Sequence, residues 1–117
     1  MKFDNDIPIY LQIVNEIKLY IVSGRLKPGD RLLSVREFAI SFKVNPNTIQ
    51  RALLELEELN LIYTERTNGK FVTSDSKLIE KTKKNLADNI KSKYLKDMEN
   101  IGYSHEDAIE FLEKRYK

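Results

Sequence analysis

Residues Val44 to Leu59 read "VNPNTIQRALLELEEL". This stretch decides the fold. Asn45 suits a helix N-cap, because its side-chain carbonyl can accept from the first free backbone N–H groups. Pro46 suits the first helical position, where its missing N–H costs nothing. Ile49, Ala52, Leu53, Leu56 and Leu59 recur at helical spacing and form one buried face. Asn47, Thr48, Gln50 and Arg51 are polar and gather on the other face, at the amino end. Glu55, Glu57 and Glu58 crowd the carboxyl end. The helix is therefore chemically lopsided along its length as well as around it.

Upstream, "SVRE" at Ser34 to Glu37 is a capping box, with Ser34 as cap and Glu37 reaching back from the third helical position. It opens a short helix running through Phe38 and Ala39 to about Phe42. Lys43-Val44-Asn45 is the turn that joins this helix to the next. Two helices joined by so short a turn make a helix-turn-helix. Before them, Tyr10, Ile13, Val14, Ile17, Tyr20 and Ile21 mark a further helix that starts near Pro8 and stops at Gly24. The segment "LKPGDRL" is a turn built on Pro28-Gly29-Asp30. Leu32 is placed to add a short strand.

Downstream, "LIYTERTNGKFVT" sets strand formers on both sides of Asn68-Gly69. That dipeptide predicts a tight hairpin with positive φ at both central residues. Three helices followed by a two-stranded hairpin make a winged helix-turn-helix. After Thr73 the composition turns charged and helical to about Ile101, with Ile79, Leu86, Ile90, Tyr94, Met98 and Ile101 as a narrow apolar stripe. Gly102 breaks it. Ser104 caps a last helix whose apolar side is Ala108, Ile109, Leu112 and Tyr116. The expected fold is mainly α with a small β-hairpin: a winged helix-turn-helix over residues 1–74, then a two-helix dimerisation segment over 75–117.

The bulk numbers fit one small domain with an appended element: 117 residues, 32% charged, 41% hydrophobic. Net charge is +2, split evenly between residues 1–73 and 74–117, each with 10 basic and 9 acidic side chains. Charge alone does not argue for nucleic acid, so the placement of the charges has to. The absence of cysteine excludes disulfides and thiolate metal sites. "MKFDNDIPIY" carries no long apolar run, so a cytoplasmic protein without a membrane association is expected. One histidine, no phosphate-cradling glycine loop and no metal-spaced cluster argue against an enzyme, a cofactor or a metal site. His105 reads as a surface residue. Tyr10, Tyr20 and Tyr63 read as core or rim packing.

In a helix-turn-helix the second helix offers its amino end to the major groove. Asn and Gln pair bidentately with adenine, Arg with guanine, and Thr can touch the thymine methyl. Asn47, Thr48, Gln50 and Arg51 are those residue types in that place. Glu55, one turn on, offers Arg51 a salt bridge instead. Arg36 is placed to reach a phosphate. Arg66, Thr67, Asn68, Gly69 and Lys70 form or flank the hairpin tip, where a wing meets the adjacent groove or backbone. A winged helix that binds another protein rather than DNA is the competing reading, supported by the near-neutral charge.

Taken together, "GRLKPGDRL", "SVREFA", "VNPNTIQRALLELE" and "GKFV" resemble the N-terminal domain of GntR-family bacterial transcription regulators, from Ile7 to about Thr73. The tail, with "ENIGYSHEDAIEFLEK", looks like that of the YtrA-like subgroup, which has only two C-terminal helices. The sequence departs from the family pattern at Leu33 (usually proline), Asn60 (usually glycine), Pro46 (often arginine) and in having one hairpin glycine where many relatives have two. The resemblance implies that Arg36, Asn47, Thr48, Arg51 and Gly69 occupy DNA-contacting positions, with Gln50 at a position that is basic in some relatives. It also implies a homodimer joined through the C-terminal helices. Such a dimer would bind an inverted-repeat double-stranded DNA operator, as a repressor. The apolar stripe supports the dimer independently, since one short final helix is too little to cover it. The sequence points to no particular effector.

Overall fold

The structure, a computed structural model, describes residues 2–114. Tyr116, expected on the last helix, lies outside them. Five helices and one hairpin follow in order: α1 (Ile9–Val22), α2 (Val35–Phe42), α3 (Pro46–Glu58), β1 (Ile62–Glu65), β2 (Gly69–Val72), α4 (Ser76–Asn100) and α5 (His105–Glu113). Two compact units part between Glu80 and Lys81.

In the first unit α3 is the central helix. Its N-cap is Asn45, whose Oδ1 accepts from the Asn47 amide at 2.8 Å, and Pro46 is the first helical residue. Ile49, Ala52, Leu53 and Leu56 are fully buried against Ile13 and Ile17 of α1 and Phe38 of α2. The Ser34–Glu37 capping box closes both ways: Ser34 Oγ accepts from the Glu37 amide at 3.1 Å, and Glu37 Oε1 from the Ser34 amide at 3.0 Å. Lys43 ends α2 in the left-handed conformation (φ 57). There the Val44 amide donates back to the Ala39 carbonyl at 3.0 Å and the turn reverses within three residues.

Asn60 does the same for α3 (φ 61). The Leu61 amide reaches the Leu56 carbonyl at 3.0 Å and the Asn60 amide reaches the Glu57 carbonyl at 2.9 Å. These two bonds satisfy the last carbonyls of the helix and turn the chain into β1, with Leu61 buried beneath. Asparagine thus fills the role of the family's glycine, as its tolerance of this conformation allows.

β1 and β2 pair antiparallel in the register Ile62↔Val72, Tyr63↔Phe71, Thr64↔Lys70 and Glu65↔Gly69. The tip differs from the two-residue turn that Asn68-Gly69 suggests. Three residues, Arg66 to Asn68, lie between the paired ends. The Asn68 amide donates to the Glu65 carbonyl at 3.3 Å, and only Gly69 (φ 98) has positive φ. The glycine that opens β2 thus supplies the positive φ that returns the chain. The expected strand near Leu32 is present as a single bridge, Arg31↔Phe71, flanked by a 2.8 Å bond from the Leu32 amide to the Lys70 carbonyl.

Leu78 and Ile79, at the start of α4, pack on the same core. In the second unit the Tyr94 hydroxyl donates to the Ala108 carbonyl at 2.7 Å, and Ala108 is fully buried. Ser104 caps α5 by accepting from the Asp107 amide at 3.0 Å. Tyr103 and Phe111 meet edge to face.

Leu56→Ala removes a fully buried side chain and should lower unfolding stability by about 2–5 kcal/mol. Gln50→Ala, on the outer face of the same helix, should change it by less than about 0.5 kcal/mol. Urea unfolding followed by circular dichroism measures both.

Candidate nucleic-acid interface

The rotation of α3 is set by the residues it buries, and that rotation decides which side chains face out. With Ile49 and Ala52 inside, Asn47, Gln50 and Arg51 are exposed and Thr48 is half-buried at the edge. All four expected reading residues thus share one surface at the amino end of the helix. There the backbone N–H groups of the first turn and the positive end of the helix dipole favour a phosphate oxygen.

This surface is one wall of an open groove of about 390 Å³. Asn47, Thr48 and Arg51 face Pro8, Ile9 and Tyr10 across it. Gln12 fixes the opposite wall. Its Nε2 donates to the carbonyls of Asp4 (2.7 Å) and Ile7 (2.8 Å), and its Oε1 accepts from the Asp4 amide at 2.8 Å. The segment before α1 is thereby tied down beside the reading helix.

Arg51 does not take the Glu55 partner. Its guanidinium carbon sits 3.9 Å from the centroid of the Tyr10 ring, and among the described residues it forms no ion pair. Arg36 is exposed on the first turn of α2. Arg66 and Asn68 are exposed in the hairpin loop, where Asn68 Nδ2 donates to Glu65 Oε2 at 3.2 Å.

Gly69 has a second constraint besides its φ. A Cβ there would stand 3.3 Å from Nε of Arg31, whose side chain lies along the hairpin. Arg31 was missed from the sequence because it sits in the turn before α2. Only the bridge to Phe71 brings it beside the wing.

Lys70 is placed differently from the expectation of a residue at the wing tip. Its ammonium points back at α3, 2.6 Å from Glu57 Oε1 and 2.8 Å from Thr64 Oγ1, and its side chain is only 28% exposed. Thr64 also donates to Glu57. These hydrogen bonds from Lys70 and Thr64, with the Lys70 charge, hold the Glu57 carboxyl below its usual range against a smaller opposing effect of burial. The cluster neutralises one of the three glutamates at the carboxyl end of α3 and ties the hairpin to it. Glu37 is also held low, by the Ser34 amide and hydroxyl and then by the nearby Arg31 charge.

No group of three or more metal-ligating side chains occurs among the described residues. None of the described helices is long and apolar enough to cross a membrane. His105 lies 3.2 Å from Glu99 on the surface of the second unit.

Comparisons with known proteins agree with this geometry. Residues 9–72 match the family model of bacterial regulatory proteins, gntR family. The chain is 39% identical over 109 residues to the uncharacterized HTH-type transcriptional regulator YhcF of Bacillus subtilis (strain 168), covering 93% of this chain and 90% of that one. It is 43% identical over 70 residues to the HTH-type transcriptional repressor YtrA of the same strain, covering 60% of this chain and 54% of the relative. A solved GntR family transcriptional regulator from Listeria monocytogenes superposes with a TM-score of 0.87 at 43% identity, covering 97% of this chain and all of that one.

The Glu57 cluster yields a pH signature. Glu57 has a lowered folded pKa, so its contribution is complete above the unfolded value of 4.5 and is lost as pH falls from there through the folded value. Glu57→Gln should cost about 1 kcal/mol of stability at pH 7. Denaturant midpoints measured down a pH series should show that cost shrinking below pH 4.5.

Proposed function

This chain belongs to the GntR family of DNA-binding transcription regulators, and we propose that it acts as a homodimeric repressor on an inverted-repeat operator. The observation that carries the reading is the outward face of α3. Its buried side leaves Asn47, Thr48, Gln50 and Arg51 together at the exposed amino end. Arg51 would read a guanine edge, Asn47 and Gln50 an adenine, and Thr48 a thymine methyl. Arg36 and the first-turn amides would hold phosphates and set the register. The loop residues Arg66 and Asn68, with Gly69 at the start of β2, would meet the neighbouring backbone. Lys70 would join them by exchanging Glu57 for a phosphate, or would serve through Glu57 alone.

The division of labour follows the composition. Residues 1–74 would bind DNA and 75–117 would dimerise. In the single chain Ile90, Ile101 and Leu112 are 68%, 71% and 67% exposed, and no side chain of α4 is fully buried. A helix of 25 residues, roughly 38 Å long, that leaves Ile90 open to water, followed by the equally open Ile101 and Leu112, calls for a second copy. Two-fold pairing would present two reading helices to two half-sites. The likeness to the repressor YtrA supports repression as the sense of control. We place the protein in the cytoplasm, where its DNA target is.

Duplexes enriched from a random pool, then titrated by fluorescence anisotropy, test this. Enriched sites should be inverted repeats, with affinity falling steeply as salt rises. Arg51→Ala should cost about 1–3 kcal/mol of binding and relax selectivity at one base pair in each half-site. Enrichment of no common sequence would refute the reading. For the dimer, Ile90→Glu should shift the sedimentation coefficient to that of a monomer and weaken operator binding.

A further inference from the structure

We propose that Tyr10, on the first turn of α1, is a positioning residue for DNA recognition: its ring holds the Arg51 guanidinium at the reading end of α3. The inference rests on the reading of Arg51 as a base contact and adds a part of the interface outside the helix-turn-helix itself.

Three observations meet here. Tyr10 lies one turn before Ile13 on the buried side of α1, so its ring is half-buried and packs against the core. Its position is therefore fixed by the same seam that fixes α3. The guanidinium carbon of Arg51 sits over the ring, 3.9 Å from its centroid. Tyr10 and Arg51 also line the same groove as Asn47 and Thr48, so the contact is made on the reading surface and not behind it.

The chemistry of the pair suits this role. An arginine side chain has many rotamers, and reading guanine O6 and N7 requires one of them. A ring under the body of the guanidinium restricts that choice. The ring meets the guanidinium carbon, and no carboxylate among the described residues takes the N–H donors, so they are available for a base edge. An ion pair with Glu55 would instead have occupied the donors. Sequence periodicity shows Tyr10 only as a member of the α1 stripe. Nothing in the spacing of the two residues, 41 positions apart, announces the contact.

The test uses the full chain and duplexes enriched by the wild type, with each base pair of one half-site varied in turn. Tyr10→Phe keeps the ring and should leave affinity and selectivity within about twofold. Tyr10→Leu should lower discrimination about two- to fivefold, the size of an exposed cation–π contact, at the base pair where Arg51→Ala loses it. The loss should vanish when Arg51 is already alanine, as expected for two residues acting through one interaction. Tyr10→Met gives the same comparison with a different apolar filling if the leucine variant does not fold.

Equal losses in Tyr10→Phe and Tyr10→Leu, uniform over all sequences, would make Tyr10 a phosphate contact through its hydroxyl and overturn the proposal. So would a Tyr10→Leu loss that adds fully to that of Arg51→Ala. If Arg51→Ala itself leaves affinity and selectivity unchanged, the failure lies in the reading of Arg51, and the role of Tyr10 falls with it.

Discussion

The burial of one face of α3 is the constraint on which the rest depends. Ile49, Ala52, Leu53 and Leu56 are sealed against α1 and α2. A rotation of the helix by one residue, about 100°, would expose two of them and bury Arg51 or Gln50 unpaired. Both changes are costly, the first through lost apolar burial and the second through desolvated polar groups. The core therefore does more than stabilise the helix. It chooses which side chains face outward: Asn47, Gln50 and Arg51 are exposed and Thr48 lies half-buried at the edge.

The same core positions the neighbours of that face. α1 brings Tyr10 and the Gln12-anchored arm to one side of it. The reversal at Asn60 carries the chain from α3 into the hairpin, and Glu57, Thr64 and Lys70 then tie the hairpin back to the carboxyl end of α3. The two ends of α3 thus do different work. The amino end is left open and polar. The carboxyl end holds the wing, and its acidic excess is partly neutralised from within the protein.

Much of this was legible in the sequence because it depends on local rules. The Asn45-Pro46 start, the Ser34–Glu37 box and the polar quartet at the amino end of α3 each follow from a few adjacent residues and a helical period, whereas the stop at Asn60 is read from the family resemblance. What was not legible depends on where long side chains settle after folding. Lys70 reads as a wing-tip cation, yet finds a carboxylate thirteen positions back in the chain. Arg51 has a glutamate one turn away and lies on a tyrosine from another helix instead. Arg31 joins the wing only through the bridge to Phe71. The hairpin tip was misread for a related reason. Asn68-Gly69 admits two loop lengths, and the pairing of Glu65 with Gly69 selects the longer one.

The most direct test of the account is an amide NMR titration of the isotope-labelled full chain with an enriched operator duplex. The account predicts the largest shift changes at residues 45–51 and in the hairpin loop at 66–69, with Glu55, Glu57 and Glu58 little affected. Changes concentrated at the carboxyl end of α3, with the Asn47 to Arg51 amides unmoved, would contradict it.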